Sequence, residues 1–345
     1  MASKALAIKY RPKTWDDVTE QGYIKIILEN QIETNTIKHG YLFVGGAGTG
    51  KTTSARIFAN CINNGLGNPI ELDAASNNSV DDIRRLVEQA QTKSLDSEYK
   101  VFILDEVHVL SNQAWQALLK TLEEPPSKSI FILCTTNPEK IPNTILSRVQ
   151  RYNFQRISLD GIFNRLIAII ELENKEGAGI TFTDGAIELI AKTADGGMRD
   201  AITMLDKCLS YTHELTVGHC IEALGVADYT TMMALTENIL TNDLVQIMDR
   251  IERVHAEGKD LKLFMRQYLE FVLDLNKYCI GCDWKYINIP STDSNIMWLE
   301  KSFYQLDNRN IINSLLDTLI KINADIKYMQ NPKYYIEATF MGGLK

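Results

Sequence analysis

The hydrophobic rhythm of the chain changes near residue 158. Between Gly40 and Arg156, short apolar runs alternate with longer amphipathic stretches: YLFV, then a segment opening at Gly50; IELD, then Val80 to Ala90; KVFILD, then Gln113 to Leu122; SIFILCT, then a loop. Short apolar runs between polar segments predict strands buried on both faces, and apolar positions three and four apart predict helices. Their alternation predicts a parallel sheet flanked by helices, an α/β fold. Val149, Tyr152 and Phe154 suit a further strand with one buried face.

From Leu159 the pattern reads as wholly helical. A first group runs to about Gly225, with Thr183 and Asp184 as caps for GAIELIAKTA. A second runs from Tyr229 to the end. There Leu261, Phe264, Met265, Tyr268, Leu269, Val272 and Leu275 recur at helical spacing. Ile312, Leu315, Leu316, Leu319, Ile322 and Ile326 do the same, until Pro332 stops the run. These positions read as the core of a helix bundle. The expected domains are 1–157, 158–226 and 229–345.

Composition adds limits. A chain of 345 residues, 45% hydrophobic and 23% charged, is an ordinary globular protein with room for several cores. It has no apolar run of the ~18 to 20 residues that a bilayer crossing needs. The apolar part of MASKALAIKYRPKTW is too short for a signal peptide, which predicts a cytoplasmic protein with no membrane partner. Six scattered cysteines suit a reducing compartment. The net charge of −8 argues against a nucleic-acid partner until it is divided. Residues 1–157 carry 18 Lys+Arg against 17 Asp+Glu, so the acidity belongs to the C-terminal half.

Candidate chemistry lies at the strand ends. GGAGTGKT, Gly45 to Thr52, fits G-x-x-x-x-G-K-S/T between a strand and a helix. Backbone N–H groups along Gly45, Gly46, Ala47, Gly48, Thr49 and Gly50 can wrap phosphates, the following helix points its positive end at them, and Lys51 adds a charge. Thr52 is the candidate Mg²⁺ ligand, and Thr53 follows it in the first turn. Asp105 and Glu106 end KVFILDE, where open α/β sheets bind ligands. Asp105 can hold the metal through water, and Glu106 can polarise an attacking water. Thr136 and Asn137 end another strand, within reach of a γ-phosphate. Arg199 stands at a helix start, where its charge opposes the helix dipole and suggests a task elsewhere. Read alone, Arg148 is an exposed arginine at an element boundary.

Together KYRPKTWDDV, GKTTSAR, ELDAAS, FILDEVHVL, ALLKTLEEPP, TTNPEKIPNTILSR and GGMRDAITMLD resemble the AAA+ clamp-loader ATPases, most closely the bacterial gamma/tau type. The resemblance covers roughly the first 225 residues. LLKTLEEPP is its most specific part, because generic phosphate-loop proteins lack it. The last third resembles the family's collar only in helical character and position. The resemblance implies an AAA+ domain, a helical lid and an all-α collar. It implies a motor that hydrolyses ATP with Mg²⁺ to open a sliding clamp and load it on primer-template DNA, in a pentameric homo- or hetero-oligomer with other clamp-loader subunits. Tyr10, Arg11, Pro12 and Val18 match the adenine pocket, with Gln21 beside it. Thr136 matches sensor 1, Arg199 matches sensor 2, and Arg148 matches an arginine finger donated in trans. Arg84, in DDIRRLVEQAQ, matches a DNA phosphate contact, although a solvated face also suits it; Arg85 has no assigned role.

Three departures stand out. Ser147, Arg148 and Val149 replace the family's Ser-Arg-Cys. FANCINNGLGNPIELD is too short for the four-cysteine module of bacterial members and holds Cys61 alone, so no zinc is expected. The chain stops at Lys345, without the extension that some members use to bind helicase and polymerase. Cys279 and Cys282 are expected to pack on one helix face. Two alternatives remain: another AAA+ DNA-remodelling ATPase, such as a branch-migration motor with a C-terminal winged helix, and a non-hydrolysing structural clamp-loader subunit. The intact Lys51, Thr52, Asp105 and Glu106 weigh against the second.

Overall fold

A computed structural model describes residues 4–94, 96–225, 229–287, 289, 293–303 and 308–342. The chain divides into two compact units, Met1–Cys220 and Ile221–Lys345. In the first, the apolar runs become β1 (Gly40–Val44), β2 (Ile70–Asp73), β3 (Lys100–Asp105), β4 (Ser129–Thr135) and β5 (Gln150–Asn153). Every pairing is parallel, and the order is β2-β3-β4-β1-β5.

Side-chain alternation sends successive residues to two different cores. Leu42, Phe102, Leu104, Phe131 and Leu133 pack under helices Val80–Ala90 and Asn112–Glu123, against Ile83, Leu86, Trp115 and Leu118. Tyr41, Phe43, Ile103, Ile130 and Ile132 pack under helices Gly22–Glu33 and Lys51–Ile62, against Ile24, Leu28 and Phe58. This explains the unbroken apolar runs: β1 and β4 are buried along their whole length. Burying each such side chain contributes ~1.5–3 kcal/mol, so the sheet is a rigid base for the loops at its ends. β5 is an edge strand in which only Tyr152 is buried.

Helices Leu159–Lys175, Asp184–Thr193 and Met198–Tyr211 follow. This region is not wholly helical, because Thr181–Phe182 and Glu214–Leu215 form a short parallel ladder, too brief to leave a period-two pattern. Thr183 occupies an N-cap position, but its side chain makes no capping bond.

The second unit is helical: Tyr229–Leu240, Leu244–Ala256, Leu261–Cys279, Asp293–Phe303, Asn308–Asp325 and Pro332–Met341. The apolar stripes read from the sequence form its core, with Leu269 and Leu316 partly buried at the margin. Two details differ from expectation. The long run already ends at Asp325, and Pro332 opens the next helix, where its missing N–H costs nothing. Cys279 ends its helix, Gly281 turns the chain at φ 76°, and Cys282 lies beyond the turn, so the two cysteines do not share a helix face. Among the described residues, no helix is long and apolar enough to cross a membrane.

Candidate nucleotide site

The phosphate loop leaves the end of β1 and is pinned to β4 by a bond from Gly45 N–H to the Thr135 carbonyl at 3.2 Å. Gly48 and Gly50, at φ 69° and 97°, take left-handed conformations that suit glycine. Helix Lys51–Ile62 then begins. Lys51 is buried, and its Nζ donates to the carbonyls of Gly45 at 2.9 Å and Gly46 at 2.7 Å. Burial pulls the ammonium below the usual lysine range, with Glu106, Cys134 and Asp105 opposing that pull. A phosphate oxygen is a stronger partner for it than either carbonyl.

Opposite the loop, the Thr52 hydroxyl donates to Asp105 Oδ2 at 2.6 Å, while Asp105 Oδ1 accepts from the Glu106 N–H at 3.0 Å. A hydroxyl and a carboxylate in contact form a hard-oxygen pair that fits Mg²⁺. Glu106 holds φ 47°, a conformation that non-glycine residues seldom adopt. Its Oε2 accepts from the Thr136 N–H at 3.2 Å and the Thr136 hydroxyl at 2.9 Å. The same oxygen lies 3.2 Å from His108 Nδ1, a neighbour that sequence reasoning did not single out. The backbone N–H of Asn137 donates to the Thr135 hydroxyl at 3.0 Å, and Asn137 is not among the residues that line the cavity beside the loop.

A cavity of about 260 Å³ opens beside the loop. Tyr10, Arg11, Pro12, Val18, Ala47 to Thr53, Asp105, Glu106 and Arg199 line it. Gly45, Gly46 and Thr136 do not: the first two meet it through Lys51, and Thr136 through Glu106. Gln21 also stays outside, where its amide clasps the backbone of Gln155. Arg11 is held below the ordinary arginine range by burial and by the nearby guanidinium groups of Arg56 and Arg199, with the carboxylates of Glu71 and Asp105 opposing that pull.

The N-terminal wall is tied to the helices after β5. Lys9 Nζ pairs with Glu173 at 2.8 Å, the Leu6 N–H donates to Asp206, and Arg165 donates to the Tyr10 carbonyl. The loop joins the same helices directly: the Met198 N–H donates to the Gly48 carbonyl at 3.0 Å. Arg199 therefore sits over the cavity because its helix starts on the phosphate loop. Arg165, Met198 and Asp200 also line the cavity, and no local sequence signal marked them.

Two predicted residues stand apart from this site. A Cβ on Gly40, which opens β1, would lie 3.1 Å from the Arg148 carbonyl, whereas the phosphate loop follows the other end of that strand. At ~3.3 Å per residue, about 13 Å separates the two ends, beyond an arginine's reach. Arg84 is exposed on helix Val80–Ala90 and pairs with Asp81 at 3.2 Å. Asp81 and Asp82 occupy the first turn of that helix, behind the capping hydroxyl of Ser79.

Comparison with known proteins decides the family. Residues 68–158 match the family described as DNA polymerase III, delta subunit, and residues 162–214 match the DNA polymerase III clamp loader subunit, ATPase lid domain. The DNA polymerase III subunit gamma of Buchnera aphidicola subsp. Schizaphis graminum is 30% identical over 98% of this chain and 97% of its own length. The chain belongs to the DNA polymerase III gamma/tau family. Other members are longer. The chain spans 62% of subunit tau of Bacillus subtilis, at 32% identity over 98% of this chain. It spans 43% of subunit gamma/tau of Mycoplasma pneumoniae, at 36% identity over 80% of this chain. Among solved structures, the Thermotoga maritima RuvB Holliday junction branch migration motor superposes with TM-score 0.52 and 17% identity, covering 75% of this chain and 90% of that one. That likeness is one of fold, the AAA+ architecture.

Proposed function

We propose that the chain is the ATP-binding and ATP-hydrolysing motor subunit of a clamp loader, working in cytoplasmic DNA replication with companion subunits, a sliding clamp and primer-template DNA. One observation carries this reading. Lys51, Thr52, Asp105 and Glu106 converge at one end of the sheet while Arg148 stands at the other, which supports a reading in which one subunit's arginine completes its neighbour's site.

In this reading residues 1–157 bind ATP, 158–226 form the lid, and 229–345 form the collar of a pentamer. The adenine enters among Tyr10, Arg11, Pro12 and Val18. The triphosphate lies along Gly45 to Gly50 and Thr53, and Lys51 leaves its two carbonyls for a phosphate oxygen. Thr52, and Asp105 through water, would hold Mg²⁺, which would supply positive charge to offset that of the phosphates. Glu106, anchored through Oε2 by Thr136, offers its other oxygen to polarise the attacking water. Arg199 contacts the nucleotide from the lid, and the neighbour's Arg148 stabilises charge developing on the transferred phosphoryl group. Hydrolysis thereby depends on closure of the subunit interface. ATP binding tightens the assembly so that it opens the clamp and grips DNA, partly through Arg84; hydrolysis releases both.

The test is the ATPase rate of the purified chain with its companion subunits, measured with and without primed DNA and a sliding clamp. Strong stimulation that needs both is expected. A rate indifferent to the clamp, or one stimulated by four-way junctions instead, refutes the proposal.

A further inference from the structure

We infer that Glu123 is a positioning residue for Arg148, holding the guanidinium in the attitude from which it is presented to a neighbouring subunit. The inference rests on the trans-acting role proposed above.

Arg148 is fastened at three points. Its NH1 donates to the Thr144 carbonyl at 2.5 Å and to Ser147 Oγ at 2.9 Å, and its NH2 donates to Glu123 Oε1 at 2.5 Å. Thr144 and Ser147 belong to its own turn of chain. Glu123 comes from another element, the end of helix Asn112–Glu123. Both side chains are partly exposed, at 32% and 42%, and share an open hollow with His39, Leu122 and Ser147.

The place of Glu123 is electrostatically costly. A carboxylate at a helix C-terminus faces the negative end of the dipole, and Lys120 is the sole basic residue of that last turn. Arg148 offsets that cost. Glu123 also lies within LLKTLEEPP, where Pro125 and Pro126 end the helix and so fix where the carboxylate stands.

Magnitudes decide whether this pair restrains the arginine or orients it. An exposed ion pair shifts populations by about fivefold or less. A phosphate is the stronger, often bidentate, partner of a guanidinium, so Glu123 does not keep Arg148 from it. Glu123 instead removes rotamer freedom in advance, so that less is lost when the phosphate is engaged.

Mixed assemblies test this. Lys51→Ala chains retain the arginine but lack ATP binding, while Arg148→Ala chains bind ATP but lack the arginine. Co-assembled, the first restores hydrolysis at the second. Adding Glu123→Ala to the donor, the Lys51→Ala chain, is expected to cut the restored kcat about fivefold with KM for ATP unchanged, and Glu123→Gln, which keeps an acceptor oxygen, to stay within about twofold. Placed on the Arg148→Ala acceptor, Glu123→Ala has no guanidinium to orient and leaves the restored rate unchanged. An unaltered rate with donor Glu123→Ala, an equal loss on the acceptor, or a loss with Gln as deep as with Ala overturns the inference. Absence of restored hydrolysis with Glu123 intact, in assemblies shown to be mixed, refutes the trans role beneath it.

Discussion

The Thr52 hydroxyl donates to Asp105 Oδ2 at 2.6 Å, joining the first turn of the phosphate-loop helix to the tip of β3. If this pair receives Mg²⁺, Thr52→Ala removes one oxygen, and Asp105→Asn keeps the shape but removes the charge. Each is expected to reduce the Mg²⁺-dependent gain in ATP affinity on the order of tenfold, the weight of a charge-assisted contact. ATP titrations with Mg²⁺ and with EDTA measure that gain. An undiminished gain in both variants removes the pair from the metal site.

Glu106 combines a left-handed backbone with a carboxylate anchored on Thr136. Glu106→Gln keeps acceptors for Thr136 but loses the base, so hydrolysis in the assembly is expected to fall ~10²- to 10⁴-fold with ATP binding retained. Glu106→Gly also loses the Thr136 bonds, ~0.5–1.5 kcal/mol each, but relieves ~1–3 kcal/mol of backbone strain. It is therefore expected to melt no more than a few degrees below the parent chain. Calorimetry beside a turnover assay separates the two effects, and a Gln variant with near-normal turnover removes Glu106 from the role of base.

What the sequence disclosed follows the range of each interaction. Strands β1, β3 and β4 were legible because burial on both faces leaves long apolar runs, and the phosphate loop was legible because its glycines and lysine are contiguous. The Thr181–Phe182 ladder left no pattern, being shorter than one alternation. The tie between Gly48 and Met198 was equally silent, since it joins positions distant in sequence through a backbone bond that any residue type can make. His108 lay in plain view within DEVH, yet nothing in its spacing said that it would meet the Glu106 carboxylate. The carboxylate facing Arg148 was visible only as one glutamate among several.

Arg84 is exposed, and its ion pair with Asp81 is a surface contact that phosphate can displace. Arg84→Ala is expected to weaken DNA binding by the assembly alike across sequences, and to lower the salt slope by about 0.7–0.9 for every phosphate that the arginine no longer neutralises. Binding isotherms across a salt series on unrelated primed templates provide the measurement. An unchanged slope returns Arg84 to a purely solvated face.

Arg148→Ala is expected to leave ATP affinity within about twofold but to lower hydrolysis in the assembly by ~10³-fold or more, well beyond what a surface ion pair carries. Equilibrium binding and turnover on the same preparation provide both numbers. A fall in affinity as large as the fall in turnover places Arg148 in ground-state binding instead.

The contact between loop and lid gives the most demanding prediction. Gly48 has φ 69°, and a Cβ there would lie 3.0 Å from Gly197 Cα, a backbone atom with no rotamer to yield. Gly50 has φ 97°, and a Cβ there meets nothing within 4 Å. Alanine at either position is strained by ~1–2 kcal/mol, so both variants are expected to lose ATP affinity. Only Gly48→Ala also pushes the Met198 N–H away from its carbonyl and moves the start of the helix that carries Arg199. Hydrogen exchange of the Met198–Tyr211 amides should accordingly rise in Gly48→Ala and stay near the parent level in Gly50→Ala. ATP should protect those amides in the parent chain and fail to do so in Gly48→Ala, even at concentrations that saturate its weakened site. Equal exchange in the two variants would mean that the loop and the lid respond to the nucleotide independently, and that Arg199 reaches it by another route.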